Sequence, residues 1–267
     1  MNNKDSLGDR MKEYYENRSK TFLARRIPVM IRLDGKAFHS FSRGLNRPYD
    51  EILHNTMHDT MKYLCENIQG CRLGYTQSDE ITLLLADYDK LTTDAWFGNA
   101  VQKMCSVAAS MATLAFNKNF RKYRDEYLDS VAALQDWDTE DEYLNTLYNK
   151  LDSAMFDARV FSIPKEEVCN AFIWRQQDAT RNAIQMLGQC NFSHKELQNK
   201  SCNDIQDMLM TQKSINFNDM PTAFKRGVCC IREGENLTGK WIIDTEIPIF
   251  TQDRGYIENT VYYREEF

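Results

Sequence analysis

Glycine and proline are scarce in this chain, 11 and 5 of 267 residues. That excludes a collagen-like chain and a Pro/Gly-rich disordered one. No stretch approaches the ~18 uninterrupted apolar residues of a membrane span. The best candidate, Val107 to Phe116, is short and carries Ser110 and Thr113, so no membrane association is expected. None of the eight cysteines forms a C-x-x-C pair, and the opening Met1-Asn2-Asn3-Lys4-Asp5 has no secretory character. Reduced thiols in a cytoplasmic protein are expected. His54 and His58 stand at i and i+4 without the glutamate of a zinc-protease motif; the reading is an exposed or partly packed pair. No nucleophilic triad, internal repeat or low-complexity segment is visible. An excess of base is also missing. Against 33 Lys and Arg stand 39 Asp and Glu, a net charge of −6, which argues against a simple electrostatic nucleic-acid binder.

The charge that is present is unevenly spread. Residues 1–48 hold eleven Lys/Arg against five Asp/Glu, whereas residues 125–157 hold ten acids against Lys150 alone. The cluster Lys118-Asn119-Phe120-Arg121-Lys122-Tyr123-Arg124 can supply phosphate contacts or form a solvated helix face. The acidic stretch reads as a solvated insertion, helical around Asp141–Leu151.

Hydrophobic periodicity gives the order of elements. A helix is expected over residues 6–19, with Met11, Tyr14 and Tyr15 on one side. The apolar, β-branched run Ile27–Leu33 reads as a buried strand ending at Asp34-Gly35. A helix at 50–67, strands at 71–75 and 81–85, a long helix at 97–120, a strand at 159–163 and a helix at 166–187 follow. Later strands are expected at 227–232 and 241–247. The order β-α-β-β-α-β is the split βαβ, or ferredoxin-like, pattern, whose usual sheet order is 4-1-3-2. The expected class is α+β: a ferredoxin-like palm, an antiparallel sheet with its helices on one face, carrying a helical insertion and a C-terminal α/β extension. Residues 1–163 form the core in this reading, with the acidic insertion at 125–155. Residues 164–267 pack on it without forming an independent domain.

That topology makes a geometric prediction. Asp34 ends the first strand and Asp79 starts the third, its antiparallel neighbour, so the two carboxylates converge at one sheet edge. Two close carboxylates repel unless a proton or a cation intervenes. A hard divalent cation such as Mg²⁺ prefers such oxygen ligands, and two ions between aspartates and a nucleoside triphosphate form the clamp of nucleotidyl transfer. Gly35 lets backbone approach phosphate closely, and Lys36, Arg43 and Arg47 can bind phosphate oxygens. The competing reading makes Asp34-Gly35 a strand-end turn and Ser78-Asp79 a cap or hairpin.

The residues also form longer motifs. Arg32-Leu33-Asp34-Gly35-Lys36-Ala37-Phe38-His39 and Tyr75-Thr76-Gln77-Ser78-Asp79-Glu80, about 45 residues on, resemble the tRNA-histidine guanylyltransferase family. Phe156–Val160, Trp174-Arg175-Gln176-Gln177-Asp178, Ile215–Asn218 and Phe224–Gly227 are similar to further family motifs in the same order. The resemblance spans roughly residues 25–233. It implies a polymerase-type palm that adds nucleotides to the 5′ end of tRNA, with the 5′ phosphate first activated by ATP or GTP. On this resemblance Asp34 and Asp79 are catalytic and, with the Gly35 carbonyl, hold two Mg²⁺ ions. Asp34, Gly35, Lys36, Ala37, Phe38, His39, Ser78 and Asp79 line the triphosphate. Arg32, Arg47, Glu80, Lys103, Arg159 and Asn182 are further phosphate or RNA contacts. A homotetramer that takes tRNA and nucleoside triphosphates is implied.

One segment departs from the pattern. Guanylyltransferases specific for histidine tRNA carry H-I-N-N-L-Y-N after W-R-Q-x-D; here Thr180-Arg181-Asn182-Ala183-Ile184-Gln185-Met186 stands there. The chain looks closer to the guanylyltransferase-like branch, which repairs truncated tRNA 5′ ends by copying a template. Single-guanine addition to histidine tRNA, a cyclase-like palm enzyme and a non-catalytic RNA-binding protein are the alternatives.

Overall fold

The computed structural model describes residues 6–133, 142–234 and 239–262. In chain order it holds α1 (Leu7–Tyr14), β1 (Val29–Gly35), α2 (Phe38–Phe41), α3 (Glu51–Asn67), β2 (Cys71–Gln77), β3 (Glu80–Leu85), α4 (Val101–Ala133), α5 (Glu142–Asn149) and β4 (Phe156–Ser162). There follow α6 (Lys165–Asn191), α7 (His194–Leu197), α8 (Cys202–Lys213), α9 (Thr222–Arg226), β5 (Val228–Arg232), β6 (Trp241–Asp244) and α10 (Gly255–Tyr262). The sheet order is β4-β1-β3-β2-β5-β6, with every neighbouring pair antiparallel. The expected 4-1-3-2 core is therefore present, and β5 and β6 extend it beyond β2.

Alternation along the central strands divides the core in two. Val29, Ile31 and Leu33 of β1, with Ile81, Leu83 and Leu85 of β3, pack against α3 and α4. Met30 and Leu84, with Leu73 and Tyr75 of β2, face the other way and meet Val168, Cys169 and Phe172 of α6 and Ile257 and Val261 of α10. The two crossover helices thus share one face, and the last third of the chain covers part of the other. A third cluster joins the C-terminal half of α6 to α8 and α9 through Leu187, Leu209 and Phe224.

Two helices run longer than their charge pattern suggests. α4 continues from the expected stop near 120 to Ala133, because its apolar phase persists through the charged residues: Phe116 and Phe120 are fully buried, and Tyr123 and Tyr127 lean on the same cluster. The basic cluster on α4 is largely neutralised within the chain, not left for phosphate. Arg121 pairs with Asp152, Lys122 reaches Asp59 at 3.2 Å, and buried Arg124 pairs with Asp125 and lies 4.6 Å over the Tyr148 ring. Part of the acidic stretch is thereby the counter-charge of its own neighbour; residues 134–141 of that stretch lie outside the described residues. α6 spans Lys165–Asn191 instead of 166–187. In contrast, α1 stops at Tyr14 and buries no residue, leaving Met11, Tyr14 and Tyr15 exposed.

α3 begins where Asp50 caps it. The carboxylate accepts the Leu53 amide at 2.9 Å and also takes the Asn46 amide and the Tyr143 hydroxyl, each at 2.9 Å. One buried side chain therefore fixes a helix start, the loop before it and α5.

Candidate active site

The β2–β3 connection is two residues long, with Ser78 in the left-handed region at φ 51°. It turns the chain back so that Asp79 meets the end of β1: the Gly35 amide donates to the Asp79 carbonyl at 3.1 Å. Asp34 is registered opposite Glu80 of β3 and Asp157 of β4. Four acids from three strands thus gather at one end of the sheet.

They are not equivalent. Glu80 is buried, and the Arg175 guanidinium holds it at 2.7 Å while Arg32 stands 3.5 Å away. Burial pushes its carboxyl above the usual range, and those two arginines oppose the rise. Asp34 and Asp79 have no ion-pair partner among the described residues. Burial raises the Asp79 carboxyl, and the charge of Asp34 adds to the rise; hydrogen bonds from its own backbone and from the Ser78 hydroxyl at 3.1 Å oppose it. The site therefore holds a repelling pair of oxygen donors beside a neighbour paired with two arginines.

Among the described residues no group of three His, Cys, Asp or Glu side chains could hold a metal ion. Mg²⁺ binds through one or two carboxylates and takes its remaining oxygens from water and substrate phosphates. Asp34, Asp79 and the Gly35 carbonyl are all-oxygen donors of that kind.

The loop after β1 is held from both sides, the Lys36 amide donating to the Met155 carbonyl at 2.8 Å. Ala37 takes a left-handed conformation at φ 56° and starts α2, whose first amides precede any intrahelical acceptor. The side chains of Lys36 and His39 are exposed beside it. Phe38 is different. Its ring is buried among Phe41, Phe116 and Phe156, with centroids 4.8–5.3 Å away from Phe41, Phe116 and Phe156. The Phe38 ring is therefore closed to a nucleotide.

Gly35 is explained by the same ring. A Cβ there would lie 2.3–2.6 Å from three atoms of Phe38, so the space that glycine leaves is filled by protein, not by phosphate. Gly35→Ala is expected to overpack this contact and cost about 1–3 kcal/mol, read by urea unfolding. Gly35→Ala/Phe38→Leu should recover part of the loss; an unchanged midpoint in the single variant would show that the ring gives way freely.

The remaining sequence-nominated residues separate. Arg159 sits beside Arg32, its cross-strand partner. Arg43 and Arg47 are exposed in the loop before α3. Asn182 of α6 lines a cavity of about 90 Å³ with Gln77, Ser78, His54 and His58, so it adjoins the Asp79 turn. Burial pushes these two imidazoles down, to about 3 for His54 and about 4 for His58, and both are neutral cavity walls at physiological pH. Lys103 stays apart, 4.5 Å over the Phe97 ring in the first turn of α4. α4 reaches the catalytic end only near Thr113 and Asn117, which bond Phe156 and Ala154, about 15 Å further along the helix.

Sequence reasoning missed the structural part of the motif Trp174–Asp178. Arg175 joins Glu80 to Asp178, with 2.7 Å contacts to both. Gln176 donates to the Pro248 carbonyl and accepts the Phe250 amide, both at 2.9 Å. The only signal was an arginine in an otherwise apolar helical phase.

A palm-type antiparallel sheet with two carboxylates converging at the end of its central strands, unpaired among the described residues, is an arrangement suited to nucleotidyl transfer. The family described as "Thg1: tRNAHis guanylyltransferase" matches residues 8–164. The chain belongs to that family, whose members are nucleotidyltransferases acting on tRNA. It is similar to a solved bacterial tRNA(His) guanylyltransferase (Thg1)-like protein in complex with ATP, at 45% identity over 96% of this chain and all of that one, with a TM-score of 0.81. A bacterial Thg1-like protein in complex with GTP gives 42% identity, 97% and 100% coverage and a TM-score of 0.76. The tRNA(His) guanylyltransferase of Saccharomyces cerevisiae is 24% identical over 78% of this chain and 84% of its own length.

Proposed function

We propose that this chain is a Mg²⁺-dependent nucleotidyltransferase that extends the 5′ end of tRNA in the 3′-to-5′ direction, copying a template to repair truncated ends. The convergence of Asp34 and Asp79, neither paired with a cation among the described residues, carries the reading. ATP or GTP activates the RNA 5′ phosphate, its nucleoside monophosphate joining that phosphate with loss of pyrophosphate; the 3′-hydroxyl of an incoming nucleotide then attacks the same phosphate and displaces AMP or GMP. Asp34, Asp79 and the Gly35 carbonyl hold the metal; two Mg²⁺ ions there would stabilise charge on the attacking and leaving oxygens. Lys36, His39, Ser78 and the opening amides of α2 cradle the triphosphate. The protein works as a homotetramer in the cytoplasm, where its eight free cysteines stay reduced.

Template-dependent repair is favoured over single-guanine addition for two reasons. The H-I-N-N-L-Y-N stretch is absent, residues 180–186 reading Thr180-Arg181-Asn182-Ala183-Ile184-Gln185-Met186 instead. The likeness to the bacterial Thg1-like proteins, at 45% and 42%, also exceeds that to the yeast enzyme. Incubating 5′-truncated tRNAs with each nucleoside triphosphate singly tests the proposal. Addition should track the opposing template base. Guanine addition regardless of template would assign the histidine-tRNA activity instead. A cyclic product formed without RNA would assign a cyclase, and Mg²⁺-independent RNA retention without label transfer a binding protein.

A further inference from the structure

The sheet face that carries Asp34 is only partly covered. α6 packs over Met30, Leu73, Tyr75 and Leu84, whereas the edge strand β4 keeps one of its faces exposed. There Ala158 and Val160 turn toward the α4 side and are partly buried, while Asp157, Arg159 and Phe161 alternate with them on the other side and are exposed. Phe161 is 40% exposed. Across the opening stands Trp174, 54% exposed on the outer side of α6.

These groups are contiguous. The Arg32 guanidinium lies 5.7 Å from the Trp174 ring and that of Arg175 4.4 Å from it. Arg159 is the cross-strand partner of Arg32, and Phe161 that of Met30, two register pairs further and on the same face. Arg32 and Arg175 are engaged with Glu80. Arg159 forms no ion pair or hydrogen bond among the described residues. The strip therefore offers two exposed aromatic rings and one uncompensated guanidinium, and it runs directly into the Asp34 carboxylate. From Asp34 to Met30 it measures about 13 Å, the length of three to four stacked bases at ~3.4 Å.

We infer that this strip is a stacking platform for the first nucleotides at the 5′ end of the RNA, with Trp174 and Phe161 against bases and Arg159 on a phosphate between them. The inference rests on the 5′-extension reading above and names how the RNA end is held. Aromatic faces accept any base, and a guanidinium pairs with a phosphate regardless of sequence. A platform of this composition suits an enzyme that must accept ends of differing sequence. Its place beside Asp34 delivers the 5′-terminal phosphate to the carboxylates, whereas the Lys36–His39 loop leads into α2, whose Phe38 and Phe41 pack in the cluster on the α4 side of the sheet. Trp174, Phe161 and Arg159 are positioning residues in this scheme.

The full-length protein and a 5′-monophosphorylated, 5′-truncated tRNA are the reagents. Trp174→Ala is expected to weaken RNA binding about ten-fold, while Trp174→Phe, which keeps a ring, stays within about three-fold. The loss should appear in KM for RNA more than in kcat, with affinity for ATP unchanged. Arg159→Ala should weaken binding of all RNA sequences alike and lower the slope of log affinity against log salt by about one. In the wild type, binding should also shield Trp174 from acrylamide quenching; Trp174→Phe supplies the background from the other tryptophans. Unchanged RNA affinity in Trp174→Ala overturns the platform, whether or not the wild type extends RNA. Equal loss in the alanine and phenylalanine variants overturns it too, since a ring then does not matter. If Phe161→Asp instead dissociates an oligomer in sedimentation and leaves RNA affinity intact, the strip is a subunit contact and the proposal falls. Failure of the wild type to extend any RNA would overturn the functional reading, and the binding measurements still decide the platform independently.

Discussion

Asp79→Asn is expected to abolish 5′ extension while making the protein more stable at neutral pH. The two effects come from one cause. Burial and the nearby Asp34 charge raise the Asp79 carboxyl above its ordinary 3.8, so the folded chain holds this proton more tightly than the unfolded chain does. Stability then falls as pH rises from the unfolded value through the folded one, because ionising the folded site costs more. Asparagine fills the same space and can still accept from the Ser78 hydroxyl, but it carries no charge. Its advantage should be complete at pH 7 and vanish below about pH 4, where the wild-type carboxyl is protonated in both states. Urea midpoints at the two pH values measure it. Activity should drop about a thousand-fold or more, as several kcal/mol of transition-state stabilisation are lost. Added Mg²⁺ should raise the Tm of the wild type and not that of the variant, since binding to the folded state alone stabilises it. Retained activity in Asp79→Asn would remove this carboxylate from the chemistry.

This site was legible because its parts are local and its geometry is topological. Ile27–Leu33 announces a buried strand, Asp34-Gly35 its end, and the βαββαβ order leaves few sheets to choose from. Antiparallel neighbours then bring Asp34 and Asp79 together, as the Gly35–Asp79 hydrogen bond shows. What remained hidden was long-range and electrostatic. The run of charges after Phe120 concealed that α4 keeps its apolar phase to Tyr127, and nothing in the order of residues says that Arg121 and Lys122 are matched by Asp152 and Asp59. Gly35 was read as a place where backbone approaches phosphate, whereas the space it leaves is taken by the Phe38 ring, which comes from the α2 turn that Ala37 opens. The partnership of Arg175 with Glu80 joins residues 95 positions apart, and only the packing of α6 on the sheet creates it.

That partnership supplies the second large effect. Arg175→Met is expected to destabilise the protein by about 3–5 kcal/mol at pH 7, the usual cost of leaving a buried charge without its partner. The side chains of Arg175 and Glu80 are 8% and 7% exposed, so solvent screens them little. Arg32, at 3.5 Å, would remain as the weaker counter-charge. The sign of the pH dependence separates charge from packing. Glu80 already sits above its ordinary 4.5, burial outweighing the arginines; without Arg175 it rises further, and a raised carboxyl favours the folded state in acid. The deficit of the variant should therefore shrink as pH falls from 7 toward about 4.5, since Glu80 takes up its proton in the folded variant first, and its charge-dependent part should be gone below that. Adding Glu80→Gln should restore most of the stability at pH 7, giving a coupling energy well above that of independent sites. An equal deficit at both pH values would trace the loss to the packing of Trp174 and α6 instead. Because Glu80 follows Asp79 and faces Asp34 across the ladder, the same ion pair keeps a third carboxylate out of the repelling pair. The double variant should then recover 5′-extension activity together with stability, and the single variant should lose both.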